Sequence, residues 1–124
     1  YFHEKEKNSF PDILEINRFE QVYSRWGNKF INKIFNKIEV PNLSSKKKLI
    51  ENLAGKFAAK EAISKAYGTG IGSSLSFKDI TIKKDRLGKP WVSMNKKNKK
   101  EKVHISISHS LNHAIAFAIL ESLE

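Results

Sequence analysis

Glu61 and Lys65 stand one helical turn apart at the end of an apolar stripe. The stripe is built from Leu49, Ile50, Leu53, Ala54, Phe57 and Ala58, which share one face at the helical period. Charges on a core-facing side are costly unless they are paired or bound to something. An exposed i,i+4 Glu–Lys pair would support the helix by only about 0.2–0.5 kcal/mol. Because this pair lies in line with the apolar residues, the sharper reading is a site: a carboxylate for a metal and a lysine for a phosphate.

The helix carrying these two residues spans about Lys47 to Tyr67. Ser44 or Ser45 caps its start, Gly68 closes it, and Lys46-Lys47-Lys48 fills its first turn. A basic run is unfavourable at the positive end of a helix dipole. A bound anion would relieve it, and a solvated basic turn is the plainer alternative. Gly68-Thr69-Gly70-Ile71-Gly72 follows the helix rather than preceding one, and no Lys-Ser/Thr comes after it. It is therefore not a phosphate loop.

Upstream, Asp12 and Glu15 have the D-x-x-E spacing of a helix start with a reciprocal glutamate. Ile16, Phe19, Val22, Tyr23, Trp26 and Phe30 then fall on one face, with Arg18 and Arg25 along another edge. Gly27 bends or interrupts this helix. Phe30, Ile31, Ile34, Phe35 and Ile38 form a second short amphipathic helix that Pro41 stops. Residues 1–11 carry little pattern and leave room only for a short strand. The chain starts at Tyr1 rather than Met, so this segment reads as trimmed, altered or tag-like.

Beyond Gly72 the period changes to two. Ile80 and Ile82 alternate with Thr81 and Lys83, residues 85–90 form a turn, and Trp91 to Met94 returns. Residues 95–102 read as a basic hairpin tip. Val103, Ile105 and Ile107 alternate with His104, Ser106 and Ser108, and His109 keeps the apolar parity. Ala114, Ala116 and Ala118 oppose Ile115, Phe117 and Ile119 in a last strand, whose alanine face would admit the long helix closely. Helices followed by an antiparallel sheet make an α+β fold in a single domain.

Composition narrows the partners. Of 124 residues, 40% are hydrophobic, enough for a core. There is no cysteine, hence no disulfide and no thiolate metal site. No signal peptide or membrane-spanning run is evident, so a cytoplasmic location is expected. Lys plus Arg numbers 23 against 13 acidic residues, a net +10 that favours an anionic partner without choosing one.

Three separated segments resemble one family, the bacterial holo-acyl-carrier-protein synthases, which are 4′-phosphopantetheinyl transferases. Asp12-Ile13-Leu14-Glu15-Ile16-Asn17-Arg18 resembles their D-x-x-E-I-x-R segment. Phe57-Ala58-Ala59-Lys60-Glu61-Ala62-Ile63-Ser64-Lys65-Ala66, with the glycines after it, looks like their F/W-A-A-K-E-A-x-x-K-A…G-T-G-I signature. Ser106-Ile107-Ser108-His109 is similar to their S-I-S/T-H strand; in addition to these three, residues 85–90 fit their D-x-x-G-K-P turn. The resemblance covers nearly the whole chain from Asp12 onward.

It implies the phosphopantetheinyl transferase fold, with a long helix packed on a small antiparallel sheet. It also implies transfer of phosphopantetheine from coenzyme A to a serine of an acidic apo acyl carrier protein, in fatty acid biosynthesis. Mg²⁺ would be held by Asp12 and Glu61, with Asp12, Glu61 and Lys65 as the catalytic set. Lys47, Lys48, Lys56 and His109 match nucleotide-contacting positions. Lys60, set about a quarter-turn or more around from Glu61, is assigned to the 3′-phosphate or a neighbouring subunit. Arg18, Val22 and Arg25 match the carrier-docking helix. The expected assembly is a homotrimer with sites between subunits, and neither nucleic acid nor membrane is an expected partner.

One departure stands out. Phe10-Pro11-Asp12 replaces the family's G-x-D, and Pro11 removes a donor from any sheet ladder. It opens an alternative to the reading above, in which the first strand is absent, shifted or non-native, Asp12 is displaced and the enzyme is impaired. Two other classes compete with the enzyme. A nucleic-acid-binding module suits the charge, although the basic residues are scattered and no recognition element is evident. A non-catalytic carrier-binding scaffold would bind carrier protein without turnover.

Overall fold

The computed structural model describes residues 7–95 and 101–122. In chain order it comprises strand β1 (Lys7–Glu15), helices α1 (Ile16–Trp26) and α2 (Asn28–Ile34), a 3-10 turn (Lys37–Glu39) and the long helix α3 (Lys46–Tyr67). A second 3-10 turn (Phe77–Asp79) leads into strands β2 (Ile80–Lys84), β3 (Pro90–Met94), β4 (Glu101–His109) and β5 (His113–Ser122). The fold is α+β. A three-stranded antiparallel sheet has the order β1-β5-β4, and β2 and β3 form a separate hairpin.

Helix α3 is the axis of the molecule. The Ser45 hydroxyl accepts from the Lys48 N–H at its start, and Gly68 ends it in the left-handed conformation, φ 79°. Between these caps the sequence is rich in alanine and free of proline, which suits a helix buried on most sides. Gly55 is needed for packing: a Cβ there would sit 2.9 Å from the Ile107 side chain on β4. The alanine face of β5 does what the sequence predicts. Ala116 and Ala118 pack in one core with Ala58, Ala59, Ala62 and Ile63. A second core joins α1 and α2 to the first half of α3 through Phe19, Ile31, Ile34, Phe35, Ile50 and Leu53.

Several expectations are corrected. The first strand is present and regular: β1 pairs with β5 along its whole length, Pro11 opposite Phe117 and Asp12 opposite Ala116. Proline is tolerated because, among the described residues, β1 pairs with a neighbour on one side only. Asp12 is accordingly a strand residue and not a helix cap; α1 begins at Ile16 after Glu15, which makes no side-chain cap. Only part of the proposed α1 face is buried. Ile16 and Phe19 are in the core, whereas Val22 and Trp26 are exposed, and Phe30 belongs to α2 beyond Gly27. Helix α2 ends at Ile34, short of Pro41, so Ile38 falls on the 3-10 turn and is exposed.

Among the described residues β3 is hydrogen-bonded to β2 and β4 to β5; the expected hairpin tip between β3 and β4 falls largely on residues that are not described. Residues 96–100 of that basic segment lie outside the described residues. The turn at 85–90 forms as expected, with the Asp85 carboxylate accepting from the Leu87 and Lys89 N–H groups at 2.9 Å each.

Candidate active site

Chemistry-bearing side chains collect on two sides of α3. On the β1 side, the fold brings Asp12 to the last third of the helix. The Lys65 ammonium donates to Asp12 Oδ1 at 2.7 Å, with Lys65 exposed and Asp12 largely covered. Glu61 lies one turn before Lys65 and is partly buried. Burial pushes its carboxyl above the ordinary carboxylate value, the negative charge of Asp12 pushes the same way, and Lys65 opposes both. Two carboxylates and a lysine from segments far apart in sequence therefore share one patch. Lys65 thus bonds across elements to β1, while its charge still acts on Glu61.

On the other side of α3 is an open cleft of about 480 Å³. Lys48, Glu51, Asn52, Gly55 and Lys56 form its α3 wall, Ile82 and Lys84 its β2 wall, and Gly88 and Pro90 belong to the turn and the start of β3. Leu43, with Ile107 and His109 on β4, completes it. His109 keeps the inward parity of its strand but is exposed at the strand end, where it borders the cleft. Burial lowers the Lys56 ammonium to about 8; Glu39 opposes that shift, while Lys84 and Lys60 add to it. Asn52 Oδ1 is buried without a hydrogen-bond partner.

The structure brings Asp12, Glu61 and Lys65 together, and it brings Lys48, Lys56 and His109 together. Lys47 is exposed on the first turn of α3, off the cleft lining. Arg18, Val22 and Arg25 are exposed along α1, and the Arg25 guanidinium lies 5.4 Å from the Trp26 ring centroid.

Lys60 is the correction. It is fully buried, and its ammonium donates to Glu39 Oε1 (2.7 Å), the Ile34 carbonyl (2.8 Å) and the Phe77 carbonyl (3.0 Å). An ammonium has three hydrogens, so none remains for a phosphate. The buried lysine–carboxylate pair of α3 is thus Lys60–Glu39. Sequence reasoning did not single out Glu39, Asn52 or Lys84. The run Ala58-Ala59-Lys60 before Ala62-Ile63 was the available signal, since small apolar neighbours on both sides place a lysine inside.

A metal can be tested only against the donor set. Among the described residues no group of three or more His, Asp and Glu side chains converges. The charge of Asp12 acts on Glu61. Two carboxylates, with remaining positions left to water and phosphate oxygens, suit Mg²⁺. Also among the described residues, no helix is long and apolar enough to cross a membrane.

Comparison with known proteins supports one lineage. The sequence model of the 4′-phosphopantetheinyl transferase superfamily matches residues 12–118. The holo-[acyl-carrier-protein] synthase of Bacillus pumilus is 46% identical over 114 residues, which is 90% of this chain and 93% of that protein. The crystal structure of a Bacillus anthracis holo-(acyl-carrier-protein) synthase in complex with CoA (3′,5′-ADP) superposes with TM-score 0.81 at 42% identity, over 93% of this chain and 96% of that one. The Helicobacter pylori synthase in complex with coenzyme A gives TM-score 0.79 at 32% identity, over 90% and 98%.

Proposed function

The chain belongs to the 4′-phosphopantetheinyl transferase superfamily, among enzymes of the holo-[acyl-carrier-protein] synthase type, and from that membership we propose its specific reaction. It moves 4′-phosphopantetheine from coenzyme A to a serine hydroxyl of an apo acyl carrier protein, with Mg²⁺, in the cytoplasm, supplying fatty acid biosynthesis. The serine oxygen forms a bond to the phosphorus that carries pantetheine, the pyrophosphate bridge breaks, and adenosine 3′,5′-bisphosphate leaves. The observation that carries this reading is the meeting of Asp12 and Glu61 beside Lys65.

Asp12 and Glu61 are the residues that would hold Mg²⁺, which when bound offsets pyrophosphate charge and stabilises the leaving oxygen. Asp12 would also accept the serine proton. Lys65 holds the pyrophosphate and balances charge on the departing bisphosphate. Lys48, Lys56 and His109, joined by Lys84, take the nucleotide and its 3′-phosphate in the cleft, with Lys47 adding charge beside it. Arg18, Val22 and Arg25 present one basic and apolar face to an acidic carrier.

A homotrimer fits this division of labour. Asn52 in the cleft and Glu61 are nine residues apart, about two and a half helical turns, and so face opposite ways. The cleft of one chain would then serve the carboxylates of a neighbour. The outer face of the sheet supports such an assembly: Ile13, Ile115 and Phe117 are 66%, 42% and 41% exposed.

The test is intact-mass spectrometry of an apo carrier protein incubated with this chain, coenzyme A and Mg²⁺, with an EDTA control. The expected result is a metal-dependent gain of about 340 Da, the mass of one phosphopantetheine. No gain with several carriers and folded protein would overturn the reading. Sedimentation equilibrium at three times the chain mass is the matching expectation for the trimer.

A further inference from the structure

The buried pair that takes no part in the chemistry has a second connection. Glu39 touches both long walls of the cleft. Its carbonyl oxygen accepts from the Lys56 ammonium on α3. Its carboxylate Oε2 accepts from the Ile82 N–H on β2 at 2.8 Å. Both Lys56 and Ile82 line the cleft, and Lys84, two residues further along β2, shares that lining. The other carboxylate oxygen is held by Lys60 Nζ at 2.7 Å and by the Asn36 N–H at 2.8 Å. Asn36 Nδ2 also donates to Thr81 Oγ1 at 3.0 Å, next to Ile82 on the same strand. Glu39 itself is fully buried.

We propose that Glu39 is a positioning residue that sets the width of the cleft, tying its α3 wall through Lys56 to its β2 wall through Ile82, with Lys60 and Asn36 holding the carboxylate in place. The proposal rests on the reading of the cleft as the coenzyme A nucleotide site. A buried carboxylate with every oxygen committed is a rigid spacer, because moving it would strand polar groups away from water. Phosphate recognition needs cations at fixed separation, and Lys56 and Lys84 reach the cleft from these two walls.

Two double variants separate the grip from the charge. Glu39→Leu with Lys60→Met replaces the pair by apolar groups of similar volume, a change that buried ion pairs tolerate, but leaves Ile82 without its acceptor. Glu39→Gln with Lys60→Met removes the same charges and keeps an amide oxygen for Ile82. Calorimetric binding of coenzyme A is the readout. The Leu/Met protein is expected to bind about tenfold more weakly, the size of one strong hydrogen bond. The Gln/Met protein is expected to stay within about threefold of the unmodified chain on the same scale.

Unchanged affinity in the Leu/Met protein, or equal weakening in both, overturns the proposal. Should the Leu/Met protein not fold by circular dichroism, Asn36→Ala decides. It loosens the same knot at its edge and is expected to raise the KM for coenzyme A severalfold, with kcat and the KM for carrier protein nearly unchanged. An unaltered KM for coenzyme A, or a fall in kcat alone, overturns the proposal. If the unmodified chain does not bind coenzyme A, the nucleotide reading of the cleft fails first and takes this proposal with it.

Discussion

Lys60 and Lys65 lie five residues apart on α3, and each ammonium sits 2.7 Å from a carboxylate oxygen. By distance the two pairs are indistinguishable. Their surroundings are opposite. Lys60 and Glu39 are both completely buried, whereas Lys65 and Asp12 keep 47% and 14% of their side-chain surface in contact with solvent. The buried lysine spends all three hydrogens on protein acceptors. The exposed one reaches its carboxylate from the rim of a patch where a second carboxylate, Glu61, already resists ionisation. A buried, saturated pair resists disturbance and serves as frame. An exposed pair beside an unsettled carboxylate can exchange partners, and the pyrophosphate-binding role proposed for this patch needs that freedom.

The largest expected effect breaks the buried pair from one side. Lys60→Met leaves the Glu39 carboxylate uncompensated in the core, and about 3–5 kcal/mol of unfolding free energy should be lost. Urea titration followed by circular dichroism measures it. Lys65→Met should cost at most about 1 kcal/mol in the same assay, since exposed pairs contribute little. Equal losses would show that burial does not separate the two pairs.

Activity should invert that ranking. Lys65→Met and Glu61→Gln, both folded, should each lose about 100-fold or more in turnover, the usual cost of removing one charge aimed at a transition state. Rates for carrier modification at saturating coenzyme A check this. Near-normal turnover in Glu61→Gln would remove it from the metal set.

How much of this was readable before the structure follows from the same contrast. The bounds of α3, its serine and glycine caps, and the alanine face of β5 all rest on local spacing, and all appear where the pattern puts them. Asp12 and Glu61 were brought together by resemblance, not by spacing, and their segments do meet. Local reasoning misplaced Pro11, because whether a lost donor matters depends on which side of the strand has a neighbour. It misplaced Lys60 for a related reason. Helical periodicity sees residues three and four apart, while the partner of Lys60 sits on a 3-10 turn 21 residues away. The charges on the stripe were rightly judged costly, but the helix is buried on more sides than one stripe implies, so its buried charges are Lys60 and Lys56.

A smaller effect is expected on α1, away from both pairs. Arg18→Glu should raise the KM for an acidic carrier protein about tenfold and reduce its salt dependence, because rim charges act mainly on encounter. The KM for coenzyme A should not move. Equal changes in both would place Arg18 in the nucleotide site rather than on a docking face.

The smallest expected effect is a pH signature that sets Lys56 against Glu61. Burial lowers the Lys56 ammonium to about 8. A neutral amine does not hold a phosphate, so the KM for coenzyme A should climb severalfold from pH 7 to pH 9 on the proposed role of this lysine. Folding responds in the other direction. Between about 8 and 10.5 an unfolded Lys56 keeps a proton that the folded one has released, so the unfolded state binds more protons and stability from this group rises with pH. On the acid side Glu61 gives the mirror image. Its raised value means that the folded state holds a proton the unfolded chain has lost, so stability from Glu61 falls as pH rises through that window, while turnover, which needs the carboxylate, increases. Lys56→Arg, charged throughout this range, should flatten the alkaline rise in KM and leave the acid limb of turnover in place. If the alkaline limb persists unchanged in Lys56→Arg, the titrating group belongs elsewhere, and His109 or Lys84 would be the next cleft residues to exchange.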